Sequence, residues 1–298
     1  MFKNILVPLD GSNLSEASLG PAAYLAKTLN SQVTLFHVIE QGAPAEIHKE
    51  RHLTQPEEAN AYLQEVAKRA FPTDGKVTTH VHTAAVSNVA FSIVDHKPDL
   101  KYDLIVICTH GRGGVRDLLY GSIAQQVVAM GTIPLLVIKT KISLFELKKI
   151  LIPLDPDSIH DASLGMAESL AKTFKAELHL LSVIPTLSTL GDEQAAAGNL
   201  MPATTHAYLD LKVENVKKDL QIHIDALHKD NLKAIAEVVR GDPASLIIKG
   251  AEQSGADMII LSTHRKAGMG AFWARSVAPK VAQKTKTPLL LIPLSQNG

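Results

Sequence analysis

Short runs of apolar and β-branched residues recur along the first half of the chain and predict the strands of a sheet. Most of these runs have no polar interruption, which is typical of strands that are buried on both faces of a parallel sheet. They cover residues 5–9, 33–39, 77–81, 104–108 and 135–138.

Helical patterns separate these strands. The first has an apolar face formed by Leu14, Ala17, Ala22, Leu25, Ala26 and Leu29. Asn13 precedes this face and Glu16 follows three residues later, a spacing that predicts a capping box. Further helices are predicted over residues 57–70, 88–96 and 122–130. Strands that alternate with helices in this way predict right-handed crossovers and a doubly wound open sheet.

The second half of the chain repeats the first. Residues 150–184 match residues 5–39 at an offset of 145, and residues 256–282 match residues 102–128 at an offset of 154. The repeat predicts strands over 150–154, 177–184, 234–239, 258–262 and 289–292, and a longer second helix over about 205–228. A unit of this size is a whole domain rather than a solenoid repeat.

The predicted fold is therefore two tandem flavodoxin-like or Rossmann-like α/β domains, each with a five-stranded parallel sheet. We predict these domains over residues 1–142 and 147–298. The connector between them is short, so we expect the two halves to pack as an intramolecular pseudo-dimer. They are called the first copy and the second copy below.

Composition narrows the classes of partner. The chain has 30 basic and 30 acidic side chains and a formal net charge of zero, which argues against nucleic acid or an anionic membrane as the main partner. Cys108 is the single cysteine and fits a reducing compartment. The sequence has no apolar stretch of 18 residues and enters a predicted strand at once, so we expect a cytoplasmic protein.

The most polar, glycine-rich turns follow the first and fourth predicted strands of the first copy. Open α/β sheets bind ligands outside the carboxyl ends of their strands, at the point where strand order reverses. We expect the first and fourth strands to flank that crevice. The turns at residues 10–12 and 109–114 are therefore expected to be neighbours.

The segment after the fourth strand has features of a phosphate site. Gly111 is followed by nine residues and then by Gly121 and Ser122, which open a predicted helix. Glycine lets backbone N–H groups approach a ligand, and a helix N-terminus binds anions. Arg112 and Arg116 would add positive charge. The alternative is an ordinary loop in which Ser122 caps the helix; the spacing is not that of a P-loop.

These residues resemble those of the universal stress protein family, and the resemblance covers nearly the whole chain as two fused family domains. It is carried by ILVPLDGS, by HVI at the end of the second strand and by THGRGG…LLYGSIAQQVV…PLLVI. The resemblance implies an adenine nucleotide, ATP or AMP, with Mg²⁺ as an additional ion. The residues implied as nucleotide-binding are Asp10, the Val38 backbone, Cys108, Gly111, Arg112, Gly121, Ser122 and Ile123. Cys108 stands where ATP-binding members of the family have the first glycine of their motif.

The second copy departs from the nucleotide motif. Leu261, Arg265 and Arg275 replace the three glycine positions, and Ser276 alone is retained. Two interpretations stay open. The arginines pair with Asp155 or Asp157 and fill a dead site, or their guanidinium groups recognise a different anion.

Other candidate chemistry is weak. His48 and His52 have a helical i, i+4 spacing, but they lack an evident third metal ligand, and His206, His223 and His228 receive the same interpretation. No pattern for covalent catalysis is present, so the chain is not expected to be an enzyme.

The predicted function is a nucleotide-responsive stress regulator with an unidentified protein partner, with a homodimer as a further assembly. The alternatives are an adaptor whose site Cys108 closes, or a small-ligand carrier that uses the loop at 191–205.

Overall fold

The computed structural model divides the chain into two compact units. It describes residues 1–44, 46–47, 50–72, 76–109, 122–130, 132–139, 144–156, 162–190, 195–196, 198, 200–263 and 277–294. Unit 1 comprises Met1–Glu146, Thr263–Arg275 and Pro288–Gly298, and unit 2 comprises Leu147–Ser262 and Ser276–Thr287. The last segment of the second copy is thus grouped with unit 1.

The described part of unit 1 contains a mainly parallel sheet. Its parallel strands are β1 (Asn4–Pro8), β2 (Gln32–Glu40), β5 (Val77–Val86), β6 (Leu104–Cys108) and β7 (Leu135–Ile138). Strand β12 (Leu289–Pro293) is antiparallel to β7, and β3 (Glu46–Ile47) and β4 (Glu50–Arg51) form a separate short hairpin. All five strands predicted for the first copy are confirmed, although β5 runs five residues beyond its predicted end.

Burial explains why these sequences form strands. The central residues of β1 and all of β7 are buried, as their uninterrupted apolar sequences predict. Strand β5 pairs with β2 on one side and lies at the edge of unit 1, and most of its side chains are partly or fully exposed. That position accounts for its threonines and histidines.

The predicted helices of the first copy are confirmed with small changes at their ends. They are α1 (Leu19–Leu29), α2 (Pro56–Ala70), α3 (Val89–Asp95), the one-turn α4 (Lys97–Leu100) and α5 (Ser122–Met130). A 3₁₀ turn, Ser15–Ser18, precedes α1. Asn88 caps α3, because its side chain accepts a hydrogen bond from the backbone N–H of Phe91 at 2.9 Å.

The predicted capping box at Asn13 and Glu16 is wrong. The 3₁₀ turn begins after Leu14 with no side-chain cap. Asn13 instead donates its backbone N–H and its side-chain amide to the Glu50 carboxylate, both at 2.7 Å. Glu16 accepts hydrogen bonds from Tyr62 and Arg69 of α2. Both side chains therefore bind partners that are distant in sequence instead of forming the local capping box.

The order of the parallel strands in unit 1 is β7-β6-β1-β2-β5. Read from β5 to β7 and numbered by position along the first copy, this is the order 3-2-1-4-5 of a doubly wound fold. Strands β1 and β6 are therefore neighbours, and Ile5 pairs with Leu104. The expectation that the first and fourth strands flank the switch point is met.

Unit 2 repeats this arrangement. Its strands are β8 (Lys149–Leu154), β9 (Glu177–Ile184), β10 (Ala234–Arg240) and β11 (Met258–Thr263), in the order β10-β9-β8-β11. Its helices include α6 (Ala162–Phe174), α7 (Pro202–Lys229), α8 (Pro243–Ser254) and α9 (Val277–Lys284). The longer second helix predicted for the second copy is confirmed as α7.

Among the helices that the structure describes, none combines the length and the apolar composition needed to cross a membrane.

Candidate functional site

The carboxyl ends of β1, β6 and β7 lie side by side in unit 1. Cys108 at the end of β6 pairs with Ile138 of β7, and the Thr109 N–H donates to the Ile138 carbonyl at 2.8 Å. Asp10 follows β1, Thr109 follows β6 and Lys139 follows β7. Three polar residues thus leave adjacent parallel strands at the same edge of the sheet, and we call this edge of unit 1 the crevice.

The loop after β1 is ordered around the Asp10 carboxylate. Asp10 Oδ1 accepts hydrogen bonds from the Ser12 backbone N–H at 2.9 Å and from the Ser12 hydroxyl at 2.6 Å. The Ser12 hydroxyl in turn accepts from the Ser15 N–H at 3.2 Å, and the Ser15 hydroxyl donates to the Ser12 carbonyl. Because Ser12 is fully buried, the loop holds Asp10 in one orientation.

Gly11 is required by the conformation of this loop and by its surroundings. Its φ of +93° lies where side chains are strongly disfavoured. A Cβ atom at this position would lie 2.8 Å from the side chain of Leu53.

Residues Glu50–Leu53, which we call the covering segment, lie against the loop after β1. The Glu50 carboxylate holds Asn13, and the Leu53 side chain packs on Gly11. His37 on β2 joins the two elements, because its Nδ1 lies 2.7 Å from the Leu9 carbonyl oxygen and its Nε2 lies 3.0 Å from the Leu53 carbonyl oxygen.

Glu16 connects this loop to α2. It accepts a hydrogen bond from the Tyr62 hydroxyl at 3.1 Å and two from Arg69 at 2.9 Å. Burial, followed by the negative charges of Glu16 and Asp10, raises the pKa of the Tyr62 hydroxyl well above its ordinary value. Tyr62 therefore stays a neutral hydrogen-bond donor at this position.

Cys108 is an unreactive thiol in this environment. Burial and the Asp10 carboxylate raise the pKa of Cys108 to about 11, while Lys139 and a backbone hydrogen bond oppose them weakly. A thiolate is the nucleophilic form of cysteine, so a raised pKa makes the thiol inert. Cys108 itself is half-buried at the end of β6.

Lys139 is a candidate site residue that sequence reasoning missed. It is only 5% exposed, and desolvation lowers the pKa of its ammonium group to about 8. The available signal was a lysine placed directly after the apolar run Leu135–Ile138, at a carboxyl strand end. The Thr109 hydroxyl, also missed, is buried and has no hydrogen-bond partner within the described residues.

The structure locates the other predicted residues only in part. Val38 is buried in β2, so its side chain belongs to the core, and the β2–β5 register shifts between Val38 and Glu40. Ser122 begins α5 and Ile123 is exposed on that helix. Gly111, Arg112 and Gly121 lie outside the described residues. The structure therefore brings Asp10 and Cys108 together but leaves the glycine-rich loop undescribed.

In the second copy, β8 and β11 are neighbours as β1 and β6 are in the first. Asp155 after β8 is exposed. Leu261, predicted to replace the first glycine, is buried in β11, but at the offset of 154 the counterpart of Cys108 is the next residue, Ser262. Asp157, Arg265, Arg275 and Ser276 lie outside the described residues, so both interpretations of this copy stay predictions.

The structure gives no support for a metal site at His48 and His52. Residues 46–51 include the hairpin strands β3 and β4 rather than a helix, and His48 lies outside the described residues. His228 Nε2 lies 3.0 Å from the Ala234 carbonyl oxygen. Within the described part of the chain, no group of three metal-ligating side chains could hold an ion.

Comparison with known proteins agrees with this architecture. A universal stress protein of Synechocystis sp. is 31% identical over 138 residues, which are 46% of this chain and 86% of that protein. One from Methanocaldococcus jannaschii is 32% identical over 145 residues, 47% of this chain and 83% of that protein. Each match spans about one copy of the repeat.

A solved structure extends the likeness to both copies. The crystal structure of a universal stress protein from Archaeoglobus fulgidus has a TM-score of 0.73 and 17% identity, and the match covers 97% of this chain and 98% of that one. At this identity the likeness shows the fold. The sequence model of the Universal stress protein family matches residues 1–139 and again residues 146–293. The chain therefore belongs to the universal stress protein family, with two copies of its domain in tandem.

Proposed function

We propose that the first copy binds an adenine nucleotide, ATP or AMP, and that the protein is a cytoplasmic, nucleotide-responsive regulator in the stress response. The observation that carries the proposal is the crevice, where Asp10, Thr109 and Lys139 follow adjacent parallel strands. Open α/β sheets bind their ligands at this edge.

Each residue has a role that follows from its chemistry. The Asp10 carboxylate, oriented by Ser12, is suited to accept hydrogen bonds from ribose hydroxyls. Lys139 offers a buried positive charge to phosphate, and the Thr109 hydroxyl offers a donor. The Val38 backbone would contact adenine. The loop with Gly111, Arg112 and Gly121, together with Ser122 and Ile123, would hold the phosphates at the start of α5.

Mg²⁺ fits this site only together with nucleotide. Asp10 is one carboxylate, and no described group of three ligands could hold an ion. Mg²⁺ commonly takes one or two protein carboxylates and completes its shell with phosphates and water. We therefore propose that Mg²⁺ would enter with ATP, with Asp10 as its protein ligand.

Regulation by binding is proposed in preference to catalysis. A nucleotide that contacts the loop from Gly111 to Gly121 would favour one arrangement of that loop and so change the surface presented to a protein partner. No described residue in the crevice is identified as a base that could activate water for hydrolysis.

The test is nucleotide retention by the full chain. Purified protein is denatured, and the extract is separated by reversed-phase chromatography, before and after incubation with ATP and Mg²⁺. We expect close to one adenine nucleotide per chain. Gly121→Val should abolish retention because a side chain would fill the phosphate cradle, whereas the matched Arg275→Val variant of the second copy should retain it.

Equal binding by both variants would contradict the placement of the site. The adaptor alternative is favoured by a different observation, because the covering segment already occupies Asn13 and packs on Gly11. No nucleotide in either extract would support that alternative. The carrier alternative concerns the loop at 191–205, much of which lies outside the described residues.

A further inference from the structure

His37 is a buried histidine with two carbonyl partners. It lies in β2 and is 2% exposed. Its Nδ1 lies 2.7 Å from the Leu9 carbonyl oxygen, and its Nε2 lies 3.0 Å from the Leu53 carbonyl oxygen. The two carbonyls belong to different elements, the end of β1 and the covering segment.

A carbonyl oxygen can only accept a hydrogen bond. A neutral imidazole carries one N–H donor, whereas the protonated ring carries two. Both contacts can therefore be hydrogen bonds at once only when His37 is protonated. In the neutral ring, one nitrogen lone pair must face a carbonyl oxygen at about 3 Å, which is repulsive and leaves a buried acceptor without a donor.

The second copy shows which of the two contacts belongs to the common fold. Ser182 occupies the position of His37 at the repeat offset of 145, and its hydroxyl donates to the Leu154 carbonyl at 3.2 Å. Leu154 corresponds in turn to Leu9. The bond from β2 or β9 to the neighbouring strand end is thus present in both copies, while among the described residues a second bond, to Leu53, is seen in the first copy alone.

The two partners also differ in how firmly they are held. Leu9 is fixed in the sheet, because its N–H donates to the Phe36 carbonyl at 2.8 Å. Leu53 lies between β4 and α2, in no regular element. Glu50 and Arg51 of the covering segment pair with the two-residue strand β3. Among the described residues, the other side-chain bonds of the segment besides those of His37 join Asn13 to Glu50 and Arg51 to Glu58, and they are solvent-exposed. Exposed bonds of this kind contribute little, so we expect the segment to be the partner that moves.

We propose that His37 is a proton-operated clamp that fastens the covering segment to the loop after β1 when both ring nitrogens carry protons. Loss of one proton keeps the bond to Leu9 and releases Leu53. The neighbouring elements carry several titratable and charged groups. They are Asp10 and Glu16 after β1, Glu50, Arg51 and His52 in the covering segment, His80 and His82 on β5, and Glu57, Glu58, Tyr62, Glu65, Lys68 and Arg69 on α2. Strand β5 places Val81 opposite His37.

The clamp would regulate the crevice, a consequence that rests on the proposed function. Asp10 follows Leu9 directly, and the covering segment contacts Gly11 and Asn13 in the same loop. A rise in pH would therefore loosen the cover over the residues that the nucleotide is proposed to contact.

The clamp is tested on the full chain without nucleotide, by nuclear magnetic resonance of ¹⁵N-labelled protein between pH 5 and pH 9. We expect two N–H groups on the His37 ring at the acidic end and one at the alkaline end. As the ring loses its proton, exchange of the Asn13 amide, corrected for the intrinsic effect of pH, should accelerate about tenfold or more. A ring with one proton at every pH, or Asn13 exchange that ignores the change, would overturn the clamp.

Variants make the assignment specific. His37→Ser copies the arrangement of the second copy, so Asn13 exchange should be fast at every pH. His80→Ser, on neighbouring β5, is the matched control and should keep the pH dependence. If His37→Ser does not fold, the ring measurement on the unaltered chain still decides. If the covering segment loosens as pH rises but no nucleotide is retained, the proposed function is contradicted and the clamp is supported. If nucleotide is retained but the covering segment does not respond to pH, the clamp is contradicted and the proposed function is supported.

Discussion

Cys108 ends β6, and Lys139 comes directly after the neighbouring strand β7. Burial favours the neutral form of both side chains. It raises the pKa of Cys108 to about 11 and lowers the pKa of Lys139 to about 8. Loss of hydration disfavours the charged form of a group, whether that charge is positive or negative. At the residue scale, the described part of the crevice is therefore poorly hydrated, and an anionic ligand there would meet the ammonium group of Lys139.

Alkylation of Cys108 should be slow. At pH 8 the thiolate fraction of a group with the raised pKa is on the order of 100-fold below that of an exposed thiol, so iodoacetamide should react at least that much more slowly than with the urea-unfolded chain. Asp10→Asn removes a charge that raises this pKa and should speed the reaction. Equal rates for the folded and unfolded chains would contradict the assigned burial.

Lys139→Met should stabilise the protein while weakening nucleotide binding. The folded pKa of Lys139 lies below its ordinary value of 10.5, so between about pH 8 and that value the unfolded chain binds more protons, and stability rises with pH. At pH 7 we expect the variant to gain roughly 1–2 kcal/mol in the free energy of unfolding by urea.

The gain from Lys139→Met should shrink at pH 9.5, where the native lysine is already neutral. Lys76→Met, a change to an exposed lysine, serves as the control and should alter stability little. A loss of stability in Lys139→Met at pH 7 would show that the ammonium is well compensated in the fold.

At the scale of elements, helix starts follow local sequence signals only where no distant partner competes. The Asp242 side chain caps α8, accepting from the Ser245 N–H at 2.9 Å and from the Ser245 hydroxyl at 2.6 Å. Pro243 follows at the first helical position. Asn13, with an equally good local sequence, is bound by Glu50 of the covering segment instead. The difference lies in the neighbours that the fold supplies.

Asp242→Ala should lower the free energy of unfolding by about 1 kcal/mol, the usual value of a lost helix cap. The side-chain and backbone hydrogen bonds from Ser245 lower the pKa of Asp242, so its stabilisation is present above its ordinary pKa and is lost as pH falls through the lower folded value. Chemical denaturation at pH 7 and pH 3 measures both effects. Asp242→Asn keeps the cap at both pH values; similar losses in the two variants at pH 7 would exclude capping as the cause.

At the scale of the whole molecule, the last strand of the chain is grouped with unit 1 rather than with the copy that encodes it. Leu289, Leu290 and Leu291 of β12 pair antiparallel with β7 and are nearly fully buried. Thr263, the last residue of β11, is also grouped with unit 1, and its hydroxyl donates to the Ile292 carbonyl at 3.4 Å. The boundary between the two compact units therefore does not coincide with the boundary between the two sequence copies.

Truncation after Thr287 should destabilise unit 1 and promote association. Removing β12 would leave the β7 edge with unpaired backbone groups beside fully apolar side chains, and exposed apolar edges pair with other chains. Light scattering after size exclusion should show oligomers or aggregate in place of the species formed by the full chain. A truncated chain with unchanged mass per particle and unchanged unfolding would contradict this role for β12. Removal of residues 295–298 alone provides the control.

The sequence by itself determined the elements and their succession. Uninterrupted apolar runs such as Leu104–Cys108 favour burial on both faces and so predict buried strands, but they do not fix the strand direction, because β12 has the same pattern and pairs antiparallel with β7. The internal repeat specified two copies of one fold, whereas the residues of the loop after β1 supported only a prediction of where a ligand would bind. These signals are local, or they compare one stretch of sequence with another.

Tertiary structure alone decided which side chains meet and in what state. The sequence around Asn13 does not predict its contact with Glu50, and the sequence around His37 does not predict its contact with Leu53. The burial of Lys139 follows from its position beside β6. The pairing of β12 with β7 joins segments about 150 residues apart. Such contacts bring together segments that are distant in sequence and remove water from their side chains. Both effects require the sheet to have formed.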